Sequence, residues 1–143
     1  MKFVYKFDAI KKIKEIFEKR VQKEVAAIQL EIEKKEEEYN AILLQRVLES
    51  KRDMKHISSS ELKFHKNYLG VLSSELGKIR KEIDLLGKKK DEKLLELIQK
   101  SKEHKIFNTL EEIHFENFTQ EQNKLEMISI DEIATQKFAR NKN

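Results

Sequence analysis

The chain contains no proline and no cysteine, and only three glycines in 143 residues. An average domain of this length carries about ten glycines and about seven prolines. Without breakers, a polypeptide whose apolar residues recur every three or four positions reads as helix almost throughout. The missing cysteines exclude a disulfide framework, a thiolate nucleophile and a cysteine zinc site. Long apolar runs are also missing: the longest strongly apolar run is Ala41-Ile42-Leu43-Leu44, far from the roughly 20 residues that span a bilayer. The opening MKFVYKFDAIKKIK is too charged for the apolar core of a secretory signal. A cytoplasmic protein with no direct membrane insertion is expected.

Charge is abundant instead. Asp, Glu, Lys and Arg make up 39% of the residues, and hydrophobic residues only 38%. A narrow helical seam needs about two apolar positions in seven, whereas a globular helix face needs about three, so the composition favours a seam. The signs also alternate along the chain. Residues 1–23 carry eight basic against three acidic residues, and residues 24–38 carry six Glu against Lys34 and Lys35. Residues 78–105 carry ten basic against six acidic residues, and residues 106–133 carry seven acidic against Lys124 alone. A fold-back near residue 58 brings each block against one of opposite sign.

The apolar positions trace two helices. Ile10, Ile13, Phe17, Val21, Val25, Ile28, Ile32, Tyr39, Ile42, Leu43 and Val47 follow spacings of three and four, with Lys35 in the seam between Ile32 and Tyr39. Leu62, His65, Leu69, Leu72, Leu76, Ile79, Ile83 and Leu86 follow a stricter alternation, which lysines weaken from Lys90 onward. Ser58 with Glu61 three residues later is a capping-box pattern where the fold-back is needed. The expected fold is therefore all-α, a two-helix antiparallel coiled-coil hairpin forming one domain. Helix one should cover about 5–54, the turn about 55–60, helix two about 61–134, and a frayed polar tail 135–143. Gly70 and Gly77, one heptad apart, suggest close packing of neighbouring backbone or a compliant segment.

Little in this pattern supports chemistry. The three glycines are isolated in helical sequence, so no phosphate loop exists. Histidines 56, 65, 104 and 114 lack metal-ligand spacing, and His65 and His104 read as tolerated, partly exposed seam residues. The carboxylates alternate with lysines as on a solvated helix face. No catalytic residue, metal or cofactor is expected. Lys88-Lys89-Lys90 is followed at once by Asp91-Glu92, which argues against a basic stripe for nucleic acid. Binding to a membrane surface through an apolar face is disfavoured because the seam is needed to hold the hairpin. Eight of the eleven Phe and Tyr residues fall at the open end: Phe3, Tyr5, Phe7, Phe17, Phe107, Phe115, Phe118 and Phe138. They read either as an aromatic plug against fraying or as an anchoring surface for a partner.

Three stretches carry a family resemblance. The opening Phe3-Val4-Tyr5-Lys6-Phe7, the run Tyr68-Leu69 to Leu72 and Leu76, and the ending Leu125-Glu126, Ile130-Asp131-Glu132-Ile133-Ala134 and Phe138 together resemble the FliJ family of flagellar export proteins and its virulence-system counterparts. Where that family usually carries a Glu-Gln pair, this chain reads Glu126-Met127. The resemblance implies a non-catalytic stalk, peripheral to a membrane-embedded export apparatus. Its implied partners are a hexameric export ATPase, the cytoplasmic part of the export-gate membrane protein, and export chaperones. Phe3, Phe7, Phe115, Phe118, Ile130 and Ile133 would then lie at or beside the ATPase contact. Tyr39, Leu43, Arg46, Tyr68, Leu72 and Glu75 would form the gate contact. A self-associating coiled-coil spacer is the competing reading.

Overall fold

A computed structural model describes residues 2–141. It contains two helices, α1 (Asp8–Ser50) and α2 (Ser59–Asn141), joined by one turn, and the fold is an all-α antiparallel hairpin. By its contacts the chain divides into a turn unit, Lys19–Ile98, and a terminal unit made of Met1–Glu18 and Gln99–Asn143.

α1 begins later than expected, because residues before Asp8 have better partners than a further helical turn. The Phe7 carbonyl accepts the first helical hydrogen bond, from Lys11 N–H at 2.9 Å. Asp8 places a carboxylate in the first turn, where it complements the helix dipole. α1 ends four residues early, at Ser50. The Ser50 hydroxyl donates to the Val47 carbonyl at 2.8 Å, and the Asp53 carboxylate accepts from Lys55 N–H at 3.0 Å, an Asx-type turn. Among the described residues none has positive φ, so the reversal is built without a left-handed residue. Ser58 then caps α2: its hydroxyl oxygen accepts from Glu61 N–H at 3.2 Å and its carbonyl from Leu62 N–H at 3.0 Å. α2 continues to Asn141, seven residues beyond the end expected at 134. The uninterrupted run of non-proline, non-glycine residues there explains the extension. Residues 142 and 143 of the expected tail lie outside the described residues.

In the turn unit, residue numbers rise along α1 as they fall along α2. Glu24 meets Lys93, Lys35 meets Glu82, Arg46 meets Ser73 and Glu49 meets His65. Ile28 and Ile32 of α1 pack with Ile79 and Ile83 of α2, flanked by Tyr39, Ile42 and Leu86. Val21, Leu72 and Leu76 are buried on the same seam positions. Each such aliphatic removed from water contributes about 1.5–3 kcal/mol. Two expectations fail in this unit. His65 is buried and not partly exposed, because its Nδ1 lies 2.9 Å from a Glu49 carboxylate oxygen, which satisfies the ring inside the seam. Gly70 and Gly77 do not admit close backbone packing, since a Cβ built on either would meet nothing within 4 Å.

In the terminal unit the seam is polar. Lys11 pairs with Glu111, and Lys14 with Glu103 at 3.3 Å. A Glu18 oxygen lies 2.7 Å from His104 Nδ1. Ile10 and Ile13, expected on the seam, are instead exposed, as is Ile16. The expected position of the basic N-terminal block against acidic partners holds; the phase of the helix does not.

Candidate partner-binding surfaces

Residues 2–7 precede α1 and pack with α2 of the terminal unit. Tyr5 is the anchor, only 7% exposed, and its hydroxyl donates to the Phe107 carbonyl at 2.8 Å. Its ring meets Phe7 and His114 edge-on, with centroids 5.9 and 5.7 Å away. Burial, and then the Glu111 carboxylate, push the Tyr5 hydroxyl above its ordinary pKa and keep it a donor. Phe3 lies 5.3 Å from Phe115 and 5.4 Å from Phe118, and Phe7 lies 6.3 Å from Phe107. Lys100 sits over the Phe17 ring at 5.7 Å.

Of the six residues proposed at the ATPase contact, this cluster gathers Phe3, Phe7, Phe115 and Phe118. Phe115 nevertheless keeps half its surface exposed. Ile130 and Ile133 lie elsewhere, on the part of α2 that no residue of α1 covers. From Asn123 to Asn141 every described residue is exposed, and this stretch carries Leu125, Met127, Ile128, Ile130, Ile133 and Phe138. Six large apolar side chains are thus exposed along this one helical segment.

The polar seam is electrostatically set. The hydrogen bond from Lys14, and then one from Gln99, hold the Glu103 carboxyl below the usual carboxylate range. The bond to Glu111 raises Lys11 above the usual lysine range. Sequence periodicity placed His104 on the seam but missed its partner Glu18, and missed Lys11 and Lys14. The signal that finds them is the charge complementarity of the two antiparallel blocks, not hydropathy.

The six residues proposed at the gate contact all fall in the turn unit but differ in access. Leu43 and Glu75 are exposed, and Tyr68 is half-buried with its ring stacked on Phe64 at 6.4 Å. Arg46 donates to the Ser73 hydroxyl at 2.7 Å. Leu72 is 3% exposed, and Tyr39 packs on the aliphatic cluster.

Among the described residues no group of His, Asp and Glu side chains could hold a metal ion, and no helix is long and apolar enough to cross a membrane. The family model described as "Flagellar FliJ protein" matches residues 2–143. No curated protein and no solved structure matches the chain.

Proposed function

The chain belongs to the flagellar FliJ family and is a component of flagellar export, and on that premise we propose that it acts as a non-catalytic stalk between a hexameric export ATPase and the export gate. The observation that carries the ATPase end is the α2 segment from Asn123 to Asn141, exposed throughout yet rich in apolar residues. Fixing backbone costs about 1–2 kcal/mol per residue. A helical segment whose residues all stay exposed gains its compensation from a partner. Ile130 and Ile133 offer side chains to that partner, and Phe115, earlier on the same helix, is also half exposed. Phe3, Phe7 and Phe118 brace the adjoining cluster. In the turn unit, Leu43, Arg46, Tyr68 and Glu75 offer the gate contact, and Tyr39 and Leu72 hold it in place. Export chaperones are a further proposed partner class, and the site of action is the cytoplasmic side of the apparatus.

Deleting residues 126–143 tests the reading. The full chain should stimulate turnover of the cognate ATPase, and the truncated chain should lose that stimulation with its melting temperature almost unchanged. Stimulation that survives the deletion excludes this segment as the ATPase contact. The competing spacer reading predicts concentration-dependent self-association of the full chain and no response from the ATPase.

A further inference from the structure

Residues 51–66, around the turn, carry five Lys and Arg residues against Asp53 and Glu61. All five basic residues, Lys51, Arg52, Lys55, Lys63 and Lys66, are exposed. Arg52 makes an ion pair with Glu49 at 3.5 Å but remains 64% exposed. Apolar side chains share this surface. Met54, Ile57 and Phe64 line one hollow of about 400 Å³ together with Arg52, Ser60 and Glu61. Phe64 is 71% exposed, and Tyr68 stacks on it nearly parallel, at 3°. None of these residues belongs to the Ile28, Ile32, Ile79 and Ile83 cluster. The seam is therefore not sacrificed if they engage something else, and the objection to membrane contact raised by the sequence does not reach them.

We propose that the turn docks on an anionic lipid surface, with Phe64, Ile57 and Met54 entering the headgroup region and the surrounding lysines and Arg52 meeting lipid phosphates. The pairing of the two features selects this occupant. Basic residues near an anionic leaflet each add attraction that decays within a Debye length. An exposed aromatic flanked by cations suits the membrane interface, where one end of the ring is dry and the edge is wet. Either feature alone gives weak, reversible binding, and peripheral anchoring takes two signals. The contact is adsorption and involves no spanning segment. It goes beyond the stalk reading and does not depend on it, since vesicles contain neither gate nor ATPase.

The test is flotation of the full chain with phosphatidylcholine vesicles, with and without phosphatidylglycerol. Binding should require the anionic lipid and fall steeply as salt is raised. Changing Lys51, Arg52 and Lys55 together to Ser should weaken it on the order of a hundredfold, from about one kcal/mol for each basic residue. Phe64→Ala should weaken it about tenfold through lost apolar contact. All of these side chains are solvent-facing, so unchanged melting temperatures should accompany both variants. The paired substitutions Lys88→Ser and Lys89→Ser, elsewhere on α2, control for net charge and should change binding only a few-fold. Equal binding to neutral vesicles, no binding at all, or an equal loss in the control overturns the proposal. Retention on polyglutamate without vesicle binding would also overturn it, in favour of an acidic polypeptide partner.

Discussion

The turn unit and the terminal unit join the same two helices by opposite means. Between Lys19 and Ile98 the seam is aliphatic: all seven buried aliphatic residues of the described chain, from Val21 to Ile83, lie there. The terminal unit buries one hydrophobic residue, Tyr5, and joins its helices with Lys11–Glu111, Lys14–Glu103 and Glu18–His104. Its isoleucines at 10, 13, 16, 106 and 113 face water. Aliphatic burial is non-directional and worth kilocalories per side chain, whereas ion pairs that stay partly open to solvent contribute less and are partly screened. One unit is therefore built to hold the hairpin, and the other to hold loosely while presenting apolar surface. That division suits the stalk role proposed above, in which the terminal unit would engage a partner while the turn unit stays folded.

The comparison breaks most decisively at Ile79. Ile79→Ala removes a buried side chain from the four-isoleucine cluster and should cost about 2–5 kcal/mol in chemical denaturation. Ile13→Ala, at a position 48% exposed, should stay within about 0.5 kcal/mol of the parent. Comparable losses would show that the terminal seam is aliphatic after all.

Tyr5→Phe sharpens the other side. It deletes the hydroxyl that donates to the Phe107 carbonyl while keeping the ring, a loss of about 1 kcal/mol. Amide exchange across 99–118 should accelerate while exchange in 72–83 stays as it was. Acceleration in both would mean that the units do not open separately.

How far the sequence reveals these differences depends on which force is at work. The helices, the reversal and the Ser58 cap are legible because breakers, three–four spacing and capping chemistry act locally. The antiparallel pairing is legible because charge blocks are visible as sums. The terminal phase is not. Ile10 and Ile13 keep helical spacing with Val21, and periodicity alone cannot tell that Lys11 and Lys14 take the inner positions. That choice depends on Glu111 and Glu103, about a hundred residues away in the chain. Tyr5 is hidden for the same reason, since its partner is a backbone carbonyl. The glycines mislead because heptad spacing fixes a helix face but not what stands opposite it.

Gly70→Ala and Gly77→Ala carry a smaller effect of the opposite sign. Neither position has φ above zero, and a Cβ at either meets nothing within 4 Å. Each substitution should therefore stabilise the turn unit by up to about 1 kcal/mol, the difference in helix propensity. Destabilisation would restore the close-packing reading. Stabilisation together with lost export activity would instead favour a compliant segment.

The smallest effect is the most specific to the terminal unit. Lys14 holds the Glu103 carboxyl below its ordinary range, so this pair contributes stability that is complete above the usual carboxylate pKa. The contribution is lost as pH falls through the lowered value of the folded state. Lys11, raised by Glu111, acts at the other extreme: its contribution is complete below the usual lysine range and is lost as pH climbs through the raised value. The terminal seam should therefore loosen at both ends of the pH scale. The turn unit also has such carboxylates, Glu24, Glu49 and Glu82, each lowered by its partner, but its aliphatic cluster does not titrate. Spin labels at Ile13 and Ile106, both exposed, should show a distance distribution that broadens on acidification before that of labels at Leu30 and Lys88. Replacing Lys14 and Glu103 together by Gln should remove most of the acid step from the terminal pair. Simultaneous broadening in both units, or an unchanged acid step in the double variant, would mean that ion pairs do not distinguish the two seams.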